Sequence, residues 1–256
     1  MSKVNKNIEL ASSIKTISDV FINANKVIKS IQKSYDIDPI CEIYVSDTTT
    51  VNRKEVKLPE VQQKTIISGS KAVTTFLELL REGQKKALID GVKGCGPFLK
   101  LTDYYKANDT DIFFLDNKEV SRVKYENVDI IHLKIKNITE HLDNFDLACC
   151  KTSMNLEKTK FWVSLHCLYT MLTGNCFIPK YLGTLNEFRV VYNKSNRKQY
   201  DYVSSNKNNK CEVMYSRTQL RIEKYTERGY KFQYVETDKV LSCITSNHMS
   251  GYLGGY

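Results

Sequence analysis

The sequence predicts an α+β fold, predominantly helical, in which helices wrap a small mixed sheet. Three observations support this class: an apolar stripe of helical period over residues 8–34, β-branched runs such as 110–115 and 128–135, and two helical patterns after residue 160. With 256 residues, of which 41% are hydrophobic, the chain can bury a core of its own.

Three regions follow from the order of these patterns. Residues 1–40 are expected to form an N-terminal helical arm. Residues 41–152 are expected to form an α/β core, and residues 153–256 a helical C-terminal region that ends in an extended tail.

The first half of the chain alternates between helical and strand patterns. Apolar residues recur at steps of three and four over 8–34, which predicts one amphipathic helix. Residues 41–58 are β-branched with turn residues inside, typical of a strand or hairpin. Residues 70–91 are again helical, with Gly91 as the stop.

The middle of the chain predicts a short helix over 94–109 that leads into the strand TDIFFL (110–115). The next three segments are expected to be a strand, a helix and a strand: 128–135, 138–145 and 146–152.

Two helices are predicted in the C-terminal region. The apolar run 161–174 predicts a buried helix closed by Gly174, on which His166 is a core histidine. The segment 217–230 predicts an amphipathic helix with Gly229 as its C-terminal cap.

The net charge of +9 is spread along the chain, and the densest polar tract, 191–210, is typical of a solvated loop, so nucleic acid is not an expected partner. The N-terminus lacks the apolar stretch of a secretion signal, and no segment approaches the roughly 18 apolar residues of a membrane span. We expect the protein to stay in the compartment where it is made, without a membrane partner.

Two carboxylates, Asp109 and Asp111, stand one residue apart at the start of a predicted strand. Side chains at i and i+2 of a strand share a face, and two such charges repel unless a cation lies between them. Asp146, at the start of another predicted strand, is the candidate third acid. Three carboxylates that hold two Mg²⁺ ions, beside a glycine-serine turn that binds phosphates, are suited to phosphoryl transfer.

Two glycine-containing turns are candidates for the phosphate position. One opens the helix 70–91 and has a serine hydroxyl, but 38 residues separate it from Asp109. The other, residues 94–97, is nearer but has cysteine in place of serine and a proline without a backbone N–H. The candidate phosphate-binding residues are therefore Gly69 and Ser70, or Gly94 and Gly96.

Four segments in order resemble the nucleotidyltransferase fold of the polymerase-β type, as carried by large DNA viruses of insects and amoebae. The segments are IISGSKAVTTFLELL (66–80), NDTDIFFL (108–115), NFDLACCKT (144–152) and RIEKYTERGYKF (221–232). The resemblance implies a nucleotidyltransferase-like mixed sheet, with Asp109, Asp111 and Asp146 as metal ligands and catalytic acids.

Cysteine and tyrosine content indicates a second class of function. The chain has 8 cysteines without zinc-site spacing, 16 tyrosines, and a Gly/Tyr tail suited to an extended arm that docks on a neighbour. Disulfides would then form late, within an assembly. The candidate assembly residues are Cys149, Cys150, Cys211, Cys243, Tyr252 and Tyr256.

These features weakly resemble an occlusion-body matrix protein of an insect virus of the nudivirus kind, a polyhedrin-like protein. The leading hypothesis is a viral structural protein that self-assembles, without cofactor, into a dense protective array in the host nucleus or cytoplasm, with itself and virions as partners. The alternative is a nucleotidyltransferase that uses the three aspartates and Mg²⁺.

Overall fold

The computed structural model describes residues 3–33, 38–45, 64–89, 107, 109–179, 188–192, 198–202 and 220–235. Within them the protein is a mixed α/β structure built around a seven-stranded mixed sheet. The prediction that helices and a mixed sheet are combined in one fold is thereby confirmed.

The helices are α1 (Lys3–Ser13), α2 (Ile17–Lys33), α3 (Ser70–Ile89), α4 (Ile138–Asp143), α5 (Leu165–Thr173) and α6 (220–227). The strands are β1 (Ile40–Tyr44), β2 (Thr65–Ser68), β3 (Thr110–Phe114), β4 (Ser121–Tyr125), β5 (Val128–His132), β6 (Thr152–Met154), β7 (Lys160–Ser164), β8 (Asn175–Pro179), β9 (Phe188–Tyr192), β10 (Lys198–Tyr202) and β11 (Lys231–Val235).

The large sheet has the strand order β1-β7-β6-β2-β3-β5-β4. Its pairings are antiparallel except that between β3 and β5, which run parallel. β7 lies beyond the predicted domain boundary at residue 152 and belongs to this same sheet. The order places β2, β3 and β5 side by side, which positions the candidate site.

Apolar side chains cover both faces of the large sheet. One cluster joins α2, α3 and α5 to Phe161 and Val163 of β7. The other joins α4 to Trp162, Phe113 and Ile131. Because successive strand residues point to opposite faces, Trp162 belongs to a different layer from its two neighbours.

The predicted N-terminal helix is two helices. Its apolar period continues through the break, but residues 14–16 are not helical and separate α1 from α2. The Thr16 hydroxyl accepts from the Asp19 N–H at 3.2 Å, and the Asp19 carboxylate accepts from the Thr16 N–H at 2.9 Å. This reciprocal pair is a capping box, which starts α2.

Two predictions of local structure are wrong. The first four residues of the run 161–174 belong to β7, and α5 starts only at Leu165. The Ser164 hydroxyl caps this helix by accepting from the Cys167 N–H at 3.1 Å. The segment 146–152 contains a 3-10 turn at Ala148–Cys150 rather than a continuous strand.

Other predicted elements are confirmed. α3 begins at Ser70, α4 lies within 138–145, and strands occupy 110–114 and 128–132. α5 ends at Gly174, whose φ is 74°. Gly229 follows α6 with φ 94°, and the Tyr230 N–H donates to the Tyr225 carbonyl at 3.1 Å.

The predicted strand or hairpin 41–58 is described only in its first part, which contains β1. Residues 46–58 lie outside the described residues, as does the predicted helix 94–109 apart from residues 107 and 109.

Candidate functional site

Asp109 and Asp111 lie at the start of β3. Asp109 is exposed and precedes the strand, and Asp111 is its second residue and half-buried. Asp109 lies outside the strand, but its charge raises the pKa of Asp111, so the two carboxylates lie near each other. The structure therefore brings together the two acids that the sequence analysis paired.

The acid beside Asp111 on the next strand is Asp129. β3 and β5 pair in parallel with Asp111 opposite Asp129, so the two side chains project to the same face. Asp129 is only 5% exposed. The sequence analysis missed this residue, although an acid at the second position of the predicted strand 128–135 was a usable signal.

Asp146 occupies a different environment. It follows α4, and one of its carboxylate oxygens accepts from Arg221 of α6 at 2.8 Å. The residue that pairs in register with Asp111 is thus Asp129, whereas Asp146 forms an ion pair with the C-terminal helix.

The turn at Gly69 lies beside Asp111. β2 pairs with β3 so that Ser68 is opposite Asp111, and α3 begins immediately after the turn, at Ser70. Gly69 has φ 72°, and a methyl group in place of its hydrogen would lie 3.7 Å from Asp111 Oδ2. The first turn of α3 offers N–H groups without partners inside the helix. Of the two candidate turns, this one adjoins the acids, while residues 94–97 lie outside the described residues.

The surroundings of Asp111 disfavour the ionised form of its carboxyl group. Burial raises the pKa of Asp111 to about 6, and the charges of Asp129 and Asp109 add to this rise, whereas Arg122 and Lys124 oppose it. Hard carboxylate oxygens are the ligands that Mg²⁺ prefers, so the donor set fits a divalent cation in its chemistry. Among residues that the structure describes, no group of three or more acidic, histidine or cysteine side chains is arranged to hold a metal ion.

Helix α6 packs against the turn. The hydroxyls of Ser70 and Tyr225 form a hydrogen bond at 3.1 Å, and Tyr225 belongs to the main core. Lys224 on the same helix is exposed. Partial desolvation, which affects the part of the side chain that packs on the protein, and the charge of Arg228 lower the pKa of Lys224, while the charge of Asp109 opposes this shift. A helix that carries Arg221 and Lys224 therefore lies near both the acids and the N-terminus of α3.

A buried polar chain supports β2 beneath the turn. The Ser68 hydroxyl lies 2.7 Å from the Ser153 hydroxyl and 3.0 Å from His141 Nε2. His141 is 1% exposed, between the rings of Phe113 and Phe145. Burial lowers its pKa to about 3, so the ring is neutral.

The cysteines in the described part of the chain are buried free thiols: Cys41, Cys149, Cys150, Cys167 and Cys176. The sulfur atoms of Cys149 and Cys150 are 3.9 Å apart. The other predicted assembly residues, Cys211, Cys243, Tyr252 and Tyr256, lie outside the described residues.

Comparisons with family models, with curated proteins and with solved structures find no match to this chain. In the ranges that the structure describes, none of the helices combines the length and the apolar character needed to cross a membrane.

Proposed function

We propose that this chain is a metal-dependent nucleotidyltransferase with a fold of the polymerase-β type. The observation that carries the proposal is the in-register pairing of Asp111 with Asp129 beside the Gly69–Ser70 turn. The acids and the turn come from three adjacent strands, although they are far apart in the sequence. This juxtaposition supports the resemblance through Asp129, which the four segments did not include.

The acids have distinct roles in this proposal. Asp111, half-buried beside Asp129, would hold the divalent cation most directly, and Asp109, exposed at the edge of the site, would complete the set of oxygen ligands. When bound, Mg²⁺ supplies charge neutralisation for a triphosphate and activation of the attacking hydroxyl.

The phosphate side of the site belongs to α3 and α6. N–H groups in the first turn of α3 point toward an approaching anion, and the Ser70 hydroxyl is available to a phosphate oxygen once it exchanges its bond with Tyr225. Lys224 adds a positive charge on the same side. In the reaction, an acceptor hydroxyl oxygen would form a bond to the α-phosphorus, the bond to pyrophosphate would break, and the hydroxyl proton would pass to solvent water.

The self-assembling array remains a prediction. Of its candidate residues, Cys149 and Cys150 are buried, and the tail lies outside the described residues. The acid site gives a specific observation in favour of catalysis, and we therefore place the enzymatic proposal first.

The test is nucleotide transfer by the purified chain. Wild-type protein, Asp111→Asn and Asp116→Asn are incubated with Mg²⁺ or Mn²⁺ and labelled nucleoside triphosphates, with candidate acceptors including the protein itself. Asp116 is an exposed acid beyond the other end of β3, so its variant controls for the loss of one charge. We expect transfer by wild type and Asp116→Asn but not by Asp111→Asn. Equal transfer by all three, or none by wild type, would refute the proposal.

A further inference from the structure

Asp129 is held by an arginine on the neighbouring strand. Arg122 Nη2 donates to Asp129 Oδ2 at 2.7 Å, and Arg122 Nε lies 3.4 Å from Asp129 Oδ1. The side chains are 25% and 6% exposed respectively, so the pair is largely removed from water. Both oxygens of the acid that flanks Asp111 thus face one guanidinium group.

The strand pairing explains this contact. β4 is the edge strand and runs antiparallel to β5. Lys124 lies directly opposite Asp129, and Arg122 lies two residues before Lys124 on the same strand. Arg122 and Lys124 therefore share the face that carries the acids. The arginine reaches the carboxylate diagonally with its planar fork, a geometry that lysine cannot reproduce.

The pair has a stabilising role that is separate from catalysis. A carboxylate as buried as Asp129 requires a charged or hydrogen-bonding partner, and loss of that partner is strongly destabilising. The same contact places a full positive charge next to a carboxylate that the proposed reaction needs for a divalent cation. The two demands on Asp129 are in conflict.

We propose that Arg122 competes with the divalent cation for Asp129 and so sets the metal affinity of the site. This inference rests on the proposed function. In the metal-free protein the guanidinium neutralises Asp129, and a cation that binds to Asp111 and Asp129 shares or displaces that contact. Arg122 is thus a positioning residue that keeps the acid in place and limits metal binding.

The experiment measures Mn²⁺ binding by electron paramagnetic resonance, without nucleotide, for wild type, Arg122→Gln and Lys124→Gln. Both variants remove one positive charge from the same face of β4, but the ion pair with Asp129 is formed by Arg122. We expect Arg122→Gln to bind Mn²⁺ about tenfold more tightly than wild type, and Lys124→Gln to change affinity by less than about threefold. Binding by Arg122→Gln that is no tighter than that by Lys124→Gln would overturn the inference.

A second variant covers the case in which Arg122→Gln does not fold, judged by circular dichroism. Arg122→Lys keeps the charge beside Asp129 but loses the planar fork, so we expect a folded protein with Mn²⁺ affinity above that of wild type. Affinity equal to or below wild type would refute the competition.

Asp111→Asn separates failure of the inference from failure of the proposed function. If wild type and all arginine variants show no saturable Mn²⁺ binding, both proposals fail. If Asp111→Asn abolishes binding while Arg122→Gln matches Lys124→Gln, the metal site stands and the role of Arg122 alone is wrong.

Discussion

Asp111 and Asp129 occupy the same register position on two parallel, hydrogen-bonded strands. Like charges on neighbouring positions of a sheet destabilise it, and here burial strengthens the repulsion. Arg122 offsets the charge of Asp129 but not the burial of Asp111, which is the main cause of its raised pKa, so the ionised Asp111 carboxylate keeps an energetic penalty that a divalent cation would relieve.

Removal of the Asp111 charge should stabilise the metal-free protein. The folded state raises the pKa of Asp111 from 3.8 to about 6, so it disfavours the ionised carboxylate above that pH. We expect Asp111→Asn to raise the free energy of unfolding by about 1–3 kcal/mol near pH 7.5, measured by urea denaturation in the presence of a chelator.

The gain in unfolding free energy of Asp111→Asn should depend on pH, because it follows the ionisation of Asp111. The destabilisation caused by the ionised Asp111 is absent below about pH 4, where the carboxyl is protonated in the folded and unfolded states. It is complete above about pH 6. The advantage of Asp111→Asn should therefore grow across this window. Asp116→Asn, which changes an exposed carboxylate, should show no such gain, and a less stable Asp111→Asn protein would contradict the argument.

His141 should make stability fall in acid. The folded state lowers the pKa of His141 from 6.5 to about 3, so the unfolded chain takes up a proton that the folded state excludes. Its contribution is complete above about pH 6.5 and is lost by up to about 1.4 kcal/mol per pH unit as the pH falls toward 3. His141→Gln should flatten this part of the curve.

The His141 measurement is best made in the Asp111→Asn background, because Asp111 titrates in the same window with the opposite sign. The observable is the difference in unfolding free energy, at each pH, between the Asp111→Asn protein and the double variant that also carries His141→Gln. A difference that does not change between about pH 6.5 and pH 4 would show that the ring is not buried in its neutral form.

The hydrogen bond between Ser70 and Tyr225 should couple α3 to α6. The two hydroxyls are 3.1 Å apart across 155 residues of sequence. In a double-mutant cycle of Ser70→Ala and Tyr225→Phe, we expect a coupling energy of about 0.5–1.5 kcal/mol in chemical denaturation. Strictly additive effects would mean that the two helices are not linked through this contact.

Alanine substitutions at Gly69 and Gly174 distinguish two effects: the cost of a left-handed backbone conformation and the presence of a methyl group near the acids. The φ values of the two glycines are 72° and 74°, and replacement by alanine should destabilise each variant by about 1–2 kcal/mol. Only the Gly69 methyl would lie near Asp111, at 3.7 Å, whereas the Gly174 methyl would have no neighbour within 4 Å.

Mn²⁺ binding, followed by electron paramagnetic resonance, should therefore weaken in Gly69→Ala and stay unchanged in Gly174→Ala. Weakening by the same factor in both variants would assign the effect to general destabilisation rather than to the position of the turn.

Local signals in the sequence predicted several elements correctly. The start of α3 at Ser70 and the glycines that end α5 and α6 depend on residues close in the chain, which is why they could be recognised. The error over 161–174 has a physical reason. β7 is buried on both faces, so its apolar run lacks the alternation that distinguishes a strand from a buried helix.

The composition of the acid site depended on information that a single sequence does not contain. Asp129 joins Asp111 only because β5 pairs with β3 in parallel, and Asp146 is engaged by Arg221, 75 residues away. Residue type and local spacing were enough to select three candidate features of the site from the sequence: Asp109, Asp111 and the Gly69 turn. The position of Asp129 beside Asp111 could be recognised only from the strand order and register.

The most direct test of the account compares Asp129→Asn with Asp146→Asn in the nucleotide-transfer assay. Both substitutions remove one carboxylate charge and preserve side-chain shape, and folding of each variant is checked by circular dichroism. The account predicts that Asp129→Asn is as inactive as Asp111→Asn, whereas Asp146→Asn retains most of the wild-type transfer. Full activity in Asp129→Asn, or selective loss in Asp146→Asn, would contradict the site described by the structure.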